Sequence, residues 1–196
     1  MKKDSKQKLL QAGARIIVKK GFNDAGLQEI VNTAGVPKGS FYFYFKSKED
    51  FGTQLIDFYA DFFGSRLREI LSHPEGPHLA KIRRYLDWQA DYMEANGFEG
   101  GCPFGILAQE MADRSDRFRE RIQVVFDRLR RQIAGVLDQA RTAGEIRPEI
   151  DPLAAADHII CAWQGVLMQM KVARNPRSRE IFNEMIFDRL LAPAAA

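Results

Sequence analysis

The stretch Val36–Asp50, "VPKGSFYFYFKSKED", holds five consecutive aromatic residues, Phe41 to Phe45, between lysines. Alternating Phe and Tyr suit a half-buried strand. The flanks argue otherwise. Pro37 fits the first turn of a helix, where its missing N–H removes no bond, and Ser47 with Asp50 three residues on reads as a capping box that opens the next helix. The run is confined to about two helical turns, and no other segment has the period of two that a partner strand needs.

Upstream, Leu9, Leu10, Gly13, Ile16 and Ile17 keep the three-and-four spacing of an amphipathic helix that stops at Gly21. "LQEIVNTAG" gives a short second helix with Leu27, Ile30, Val31 and Ala34 on one face and Gly35 as a left-handed cap. Downstream the chain reads as helical throughout. One helix runs to the loop "SHPEGPH", one to "GFEGG", and a short one starts near Pro103. "FRERIQVVFDRLRRQIAGVL" carries a single apolar stripe, "DPLAAADHIICAWQGVLMQMKVA" is apolar nearly all round, and a last helix is expected from about Arg179 to Leu191. The fold class is all-α, with an amino-terminal three-helix helix-turn-helix over residues 1–48 and a larger helical domain over 49–196.

Charge separates the same two parts. Residues 1–48 hold ten Lys or Arg against three acids, a net +7, whereas the rest of the 196-residue chain nets −4. A basic end of this kind points to a polyanionic partner. The amino terminus lacks a signal-like apolar run and no segment has the length of a membrane span, so a cytoplasmic protein without a membrane partner is expected. Cys102 and Cys161 are too few for a disulfide framework and are not spaced for metal. His73, His78 and His158 suggest neither a metal site nor a catalytic pair, and no cofactor is expected.

Two short helices around a tight glycine turn, followed by lysines, form a helix-turn-helix of the nucleic-acid-binding kind. At 100° per residue Phe41 and Phe45 share a core side, flanked by Lys38 and Tyr42. Gly39, Ser40 and Phe43 lie opposite, with Tyr44 at the edge. An outward Phe beside Gly and Ser suits the floor of the major groove, where a thymine methyl offers apolar contact and glycine permits close approach. Tyr42, Tyr44, Lys38, Lys48 and the N–H groups opening the helix of Gln28 suit phosphate oxygens.

"GFNDAGLQEIVNTAGVPKGSFYFYFKSKEDFG" resembles the amino-terminal DNA-binding domain of the TetR family of bacterial repressors, over residues 8 to 52. The resemblance implies a homodimeric repressor of a double-stranded, roughly palindromic operator, released by a small molecule bound in the carboxy-terminal domain. Dimerisation through the two long helices "FRERIQVVFDRL" and "DPLAAADHIICAWQGVLMQM" is implied with it. Ala25 and Gly26 stand where many members have two threonines, and Pro37 replaces the usual serine. The wording is also similar to the branch of repressors that answer to N-ethylmaleimide, related electrophiles and acrylate.

A second site is expected at Cys102. If Pro103 is the first helical residue, Cys102 is the cap, and a thiolate there faces the positive end of the helix dipole and unpaired N–H groups, which lower its pKa. The alternative for Cys102 is a small buried hydrophobe; Cys161 reads as structural. Trp88, Tyr92, Phe104, Met111, Phe126 and Trp163 are candidates to line a ligand pocket, although aromatics at helical spacing are more often core. Two rivals stand beside the repressor. A helical thiol enzyme using Cys102 needs a general base that the sequence does not offer nearby, so no enzyme is expected. A non-specific DNA-coating protein predicts affinity that tracks salt and ignores sequence.

Overall fold

The computed structural model describes residues 2–74 and 76–193. Among them are nine α-helices, one π-helical segment and no strand. The chain divides into two compact units, Met1–Phe62 with Cys102–Val124, and Phe63–Gly101 with Val125–Ala196.

The first unit contains α1 (Lys2–Lys20), α2 (Leu27–Ala34), α3 (Lys38–Tyr44), the first part of α4 (Lys48–Leu71), α6 (Pro103–Met111) and the start of α7 (Asp116–Thr142). As a unit of packing it is therefore larger than residues 1–48. α1 ends where Gly21 turns to φ +87°, its N–H still bonded to the Ile17 carbonyl. Gly35 caps α2 at φ +64°, with Gly35 N–H on the Asn32 carbonyl and Val36 N–H on that of Val31. This left-handed turn sets the angle between α2 and α3.

The aromatic run is helical, and Pro37 sits at the cap of α3, one position before the first turn expected for it. Phe41 and Phe45 are fully buried, their rings 5.1 Å apart and 5.4 and 4.9 Å from that of Phe51 on α4. Leu9, Ile17, Ile30 and Leu55 are fully buried in the same unit. The start of α4 is held from both sides. Ser47 Oγ accepts the Asp50 N–H at 3.0 Å, and the Asp50 carboxylate accepts the N–H of Lys46 at 2.9 Å. The return bond of a standard capping box would go to Ser47 itself; here it lands one residue earlier.

The second unit contains the rest of α4 and α7, α5 (His78–Ala95), α8 (Pro152–Ala173), α9 (Arg177–Asn183) and a π-helical segment, Glu184–Leu190, that continues α9. Asp151 caps α8 by accepting the Leu153 N–H, with Pro152 at the first helical position. α5 opens against the Glu145 carboxylate, which accepts the N–H groups of His78 and Leu79 at 2.9 and 2.8 Å, a negative charge at a positive helix end. The expected last helix starts two residues earlier than Arg179 and changes to π geometry at Glu184. Periodicity of 3.6 cannot reveal such a change.

The long helices divide their apolar residues unevenly. On α7 the residues Phe118, Ile122, Ile133, Val136 and Leu137 are buried, so its stripe is mostly consumed within the chain. α8 buries Ile159, Trp163, Leu167 and Met170 but exposes Leu153, Met168 and Val172, and the last helix exposes Ile181 and Met185. Both helices expected for dimer contact leave apolar residues exposed, Val124 on α7 and Leu153, Met168 and Val172 on α8, and so does the last helix.

Candidate nucleic-acid interface

α2, the Gly35 turn and α3 present one surface in the first unit. α2 opens at Gly26, an extended N-cap that provides no side-chain cap, so the early N–H groups of α2 have no side-chain acceptor there. Gln28 is exposed and donates through Nε2 to Asn32 Oδ1 at 2.9 Å. Lys38 and Gly39 are exposed at the start of α3, and a Cβ added to Gly39 would meet no atom within 4 Å. This is open backbone that another molecule can approach.

Burial in α3 alternates as the two-faced reading requires. Phe41 and Phe45 are at 0 % exposure, while Tyr42 stands at 58 % and Phe43 at 66 %. Ser40 and Tyr44 are half-buried, and the Tyr44 ring meets that of Phe43 edge-on at 4.9 Å. That contact orients Phe43 without covering it.

Lys48 differs from the other basic groups. Its Nζ donates to the Asn23 carbonyl at 2.9 Å and lies 5.0 Å over the Phe22 ring. Partial burial pushes its ammonium below the ordinary lysine value, against the pull of Glu110 and Asp24. Lys48 thus braces the α1–α2 turn. Glu110, which sequence reasoning did not single out, braces the same turn from α6: its carboxylate accepts the N–H groups of Phe22 and Asn23 at 3.0 and 2.8 Å. These partners lie 88 and 87 residues apart in sequence, and nothing local announces the pairing.

Cys102 caps α6 as expected, half-buried, with Pro103 at the first helical position and the Cys102 carbonyl accepting the Ile106 N–H at 3.0 Å. Phe104 and Met111 are buried on the same helix, and the Phe104 ring lies 6.2 Å from that of Tyr59. Trp88, Tyr92, Phe126 and Trp163 belong to the second unit. Trp88 packs between Phe63 and Tyr85 under Arg66, and Trp163 is buried with its indole N–H on Gln89 Oε1 at 3.0 Å. Phe126 is half-buried, whereas Tyr92 stands on the surface at 56 % exposure. Two surface grooves, of about 430 and 500 Å³, are lined by none of these seven residues. Cys161, expected to be structural, is exposed on the outer face of α8.

Among the described residues no group of three His, Cys, Asp or Glu side chains is placed to hold a metal ion, and no helix is long and apolar enough to cross a membrane.

Comparison with known proteins gives two family matches. Residues 9–51 match the model of bacterial regulatory proteins, tetR family, and residues 78–186 match the tetracyclin repressor-like carboxy-terminal domain. The chain is 34% identical over 170 residues to the transcriptional regulator AcuR of Cereibacter sphaeroides, covering 87% of this chain and 78% of that protein. It is 31% identical over 176 residues to the HTH-type transcriptional repressor NemR of Escherichia coli K12, covering 88% and 86%. The crystal structure of the reduced form of E. coli NemR is similar at a TM-score of 0.88 and 28% identity, over 98% of this chain and 100% of that one.

Proposed function

The chain belongs to the tetR family of DNA-binding transcriptional regulators, and from that premise we propose that it is a homodimeric repressor released from a palindromic operator by an electrophilic or other small-molecule inducer. Residues 1–48 read DNA and residues 49–196 bind the inducer and the second subunit. The observation that carries the reading is Phe43, 66 % exposed on a seven-residue helix whose other phenylalanine, Phe41, and whose C-cap, Phe45, are fully buried. The edge-on contact of Phe43 with Tyr44 leaves most of its ring exposed to water. In the major groove it meets thymine methyls, with Gly39 and Ser40 beside it for close approach.

Tyr42, Tyr44, Lys38, Lys48 and the first turn of α2 then meet phosphates on either side, fixing register without reading sequence. Two such heads related by a two-fold axis would read half-sites about one helical turn, roughly 34–36 Å, or a multiple of it apart. The exposed apolar residues of α8 and α9 support the pairing of subunits.

Release is assigned to Cys102. A thiolate at the first turn of α6 is favoured by the helix dipole, and its alkylation would remove that favourable charge and add bulk at the cap. α6 also carries Glu110 on the α1–α2 turn, so a shift of α6 reaches the reading head by direct bonds. The matched relatives are regulators and repressors, which supports a sensor that reacts once over a thiol enzyme that turns over. A cytoplasmic location goes with this reading.

The test is selection of bound DNA from a random-sequence pool, with and without N-ethylmaleimide, for the wild type and Cys102→Ser. A palindromic consensus that the reagent abolishes in the wild type and spares in the variant supports the whole reading. A consensus the reagent leaves intact keeps the repressor and moves the inducer to a non-covalent ligand. No consensus overturns operator binding.

A further inference from the structure

α5 and α9 pack side by side in the second unit, and along one groove their facing edges carry charge in place of apolar residues. Arg83, Asp87 and Asp91 are spaced four apart on α5 and share one edge. Across from them stand Asn183, Glu184 and Asp188, at the point where α9 gives way to the π-helical segment. The groove, of about 430 Å³, is lined by five carboxylates against two guanidinium groups. Both guanidiniums are already engaged: Arg83 lies 3.2 Å from Asp188 and 4.0 Å from Asp87, and Arg179 is paired with Asp91 and Glu94. Arg189 pairs with Glu184 from outside the lining, and five carboxylates against these three guanidinium groups still leave the groove negative.

Beneath that charge lies Asn183, 8 % exposed. Its Nδ2 donates to Asp87 Oδ1 at 3.0 Å, which fixes the amide, because the flipped orientation would set oxygen against carboxylate. Its Oδ1 has no hydrogen-bond donor. A buried acceptor without a donor is destabilising and calls for an explanation. Here it lines an anionic groove, so the donor that suits it is a cationic N–H. The π-helical segment gives a second, independent pointer, since such segments are rare and occur frequently at functional sites.

We propose that this groove binds a linear organic polyamine, a chain of ammonium groups separated by methylenes. Its carboxylates are arranged in rows and do not converge, and no three side chains there are placed for a metal ion. Four residues of helix rise about 6 Å, which suits ammonium groups joined by a four-carbon linker. One ammonium group donates to Asn183 Oδ1 and Asp87, and another lies between Glu184 and Asp188. The methylenes run along the aliphatic stems of the lining side chains. Binding at this groove involves neither Cys102 nor the DNA-reading face, so it stands apart from the repressor reading.

Calorimetric titration of the full chain with spermidine, at constant ionic strength and with magnesium and butylamine as controls, tests the proposal. The expected result is one saturable site per chain, with spermidine at least tenfold tighter than either control. The Glu184→Gln, Asp188→Asn variant alters two exposed carboxylates and should weaken binding at least tenfold while its circular dichroism stays that of the wild type. Asn183→Leu, which removes the orphan acceptor, should weaken it as well. No saturable binding, equal affinity for magnesium, or unchanged affinity in both variants would overturn the proposal.

Discussion

The Glu110 carboxylate accepts the backbone N–H of Asn23 at 2.8 Å and, with its other oxygen, that of Phe22 at 3.0 Å. The turn is shaped to admit it. Gly21 has φ +87°, and a Cβ there would fall on the Glu110 carboxylate. Glu110→Ala leaves both N–H groups without this acceptor, one of them in a part-buried setting, and should lower stability by about 1–3 kcal/mol in urea unfolding. Glu110→Gln retains a single carbonyl acceptor and should fall between the two. An unchanged midpoint in the alanine variant would show that water serves the turn equally well.

Gly52 lies against two rings. A Cβ at that position on α4 would collide with both Phe118 and Phe22, which themselves pack edge-on at 5.0 Å. Phe118 is fully buried and has no room to retreat. Gly52→Ala should therefore destabilise by about 1–3 kcal/mol despite alanine's better helix propensity, the usual cost of overpacking a dense core. Thermal melts followed by circular dichroism check it, and a stabilised variant would contradict the packing described.

What could be read in the sequence was what local physics decides. Gly35 as a left-handed cap, Ser47 at the cap of α4, Cys102 before Pro103, and Phe41 and Phe45 inward with Phe43 outward all follow from short-range spacing, and each stands so in the structure. What escaped depends on partners distant in the chain. Lys48 reads as a free cation until Asn23 and Phe22 fold beneath it, and Glu110 looks like an ordinary helix acid until the α1–α2 turn arrives. α8 reads as apolar nearly all round, and composition alone cannot divide such a helix between the face its own chain covers and the face left for a second subunit. Its outer face, with Cys161 and Met168, remains exposed in the single chain.

The two kinds of DNA contact should separate by mutation. Phe43 is exposed, so Phe43→Ala should leave stability within about 0.5 kcal/mol of the wild type and relax operator specificity at one or two base positions. Lys48→Ala should weaken binding to all sequences alike and reduce the dependence of log affinity on log salt by about one. It should also loosen the Asn23 turn, visible as faster amide exchange there. Sequence-dependent loss in the lysine variant, or uniform loss in the phenylalanine one, would mean that α3 faces DNA by another edge.

Asp50 makes the start of α4 sensitive to acid. The N–H of Lys46 first, then the Gln54 amide and the charge of Arg117 at 3.7 Å, hold its carboxyl below the ordinary carboxylate range, against the opposing effect of burial. A pKa depressed on folding contributes stability that is present above the unfolded pKa, near 3.9, and is lost as pH falls through the folded value. Below about pH 4 the wild type should lose this contribution progressively, while Asp50→Asn should lack it at every pH. Urea midpoints at pH 6 and pH 3 should therefore differ less in the variant. An equal acid loss in both proteins would assign the effect to other carboxylates.

Met168 and Val172 lie one turn apart on α8, 54 % and 75 % exposed, beside a last helix that exposes Ile181 and Met185. Large apolar side chains left exposed on successive helices suit an interaction face, and a self-complementary face closes a two-fold dimer. Changing both residues to Glu sets like charges against each other across such an axis and leaves the core of the single chain untouched. Sedimentation should give twice the 22.3 kDa chain mass for the wild type and the single mass for the Met168→Glu, Val172→Glu variant. Operator affinity should fall with it, because one reading head holds only a half-site. A variant that stays dimeric would move the interface away from α8, and the leftover apolar surface of α9 would be the next place to introduce charge.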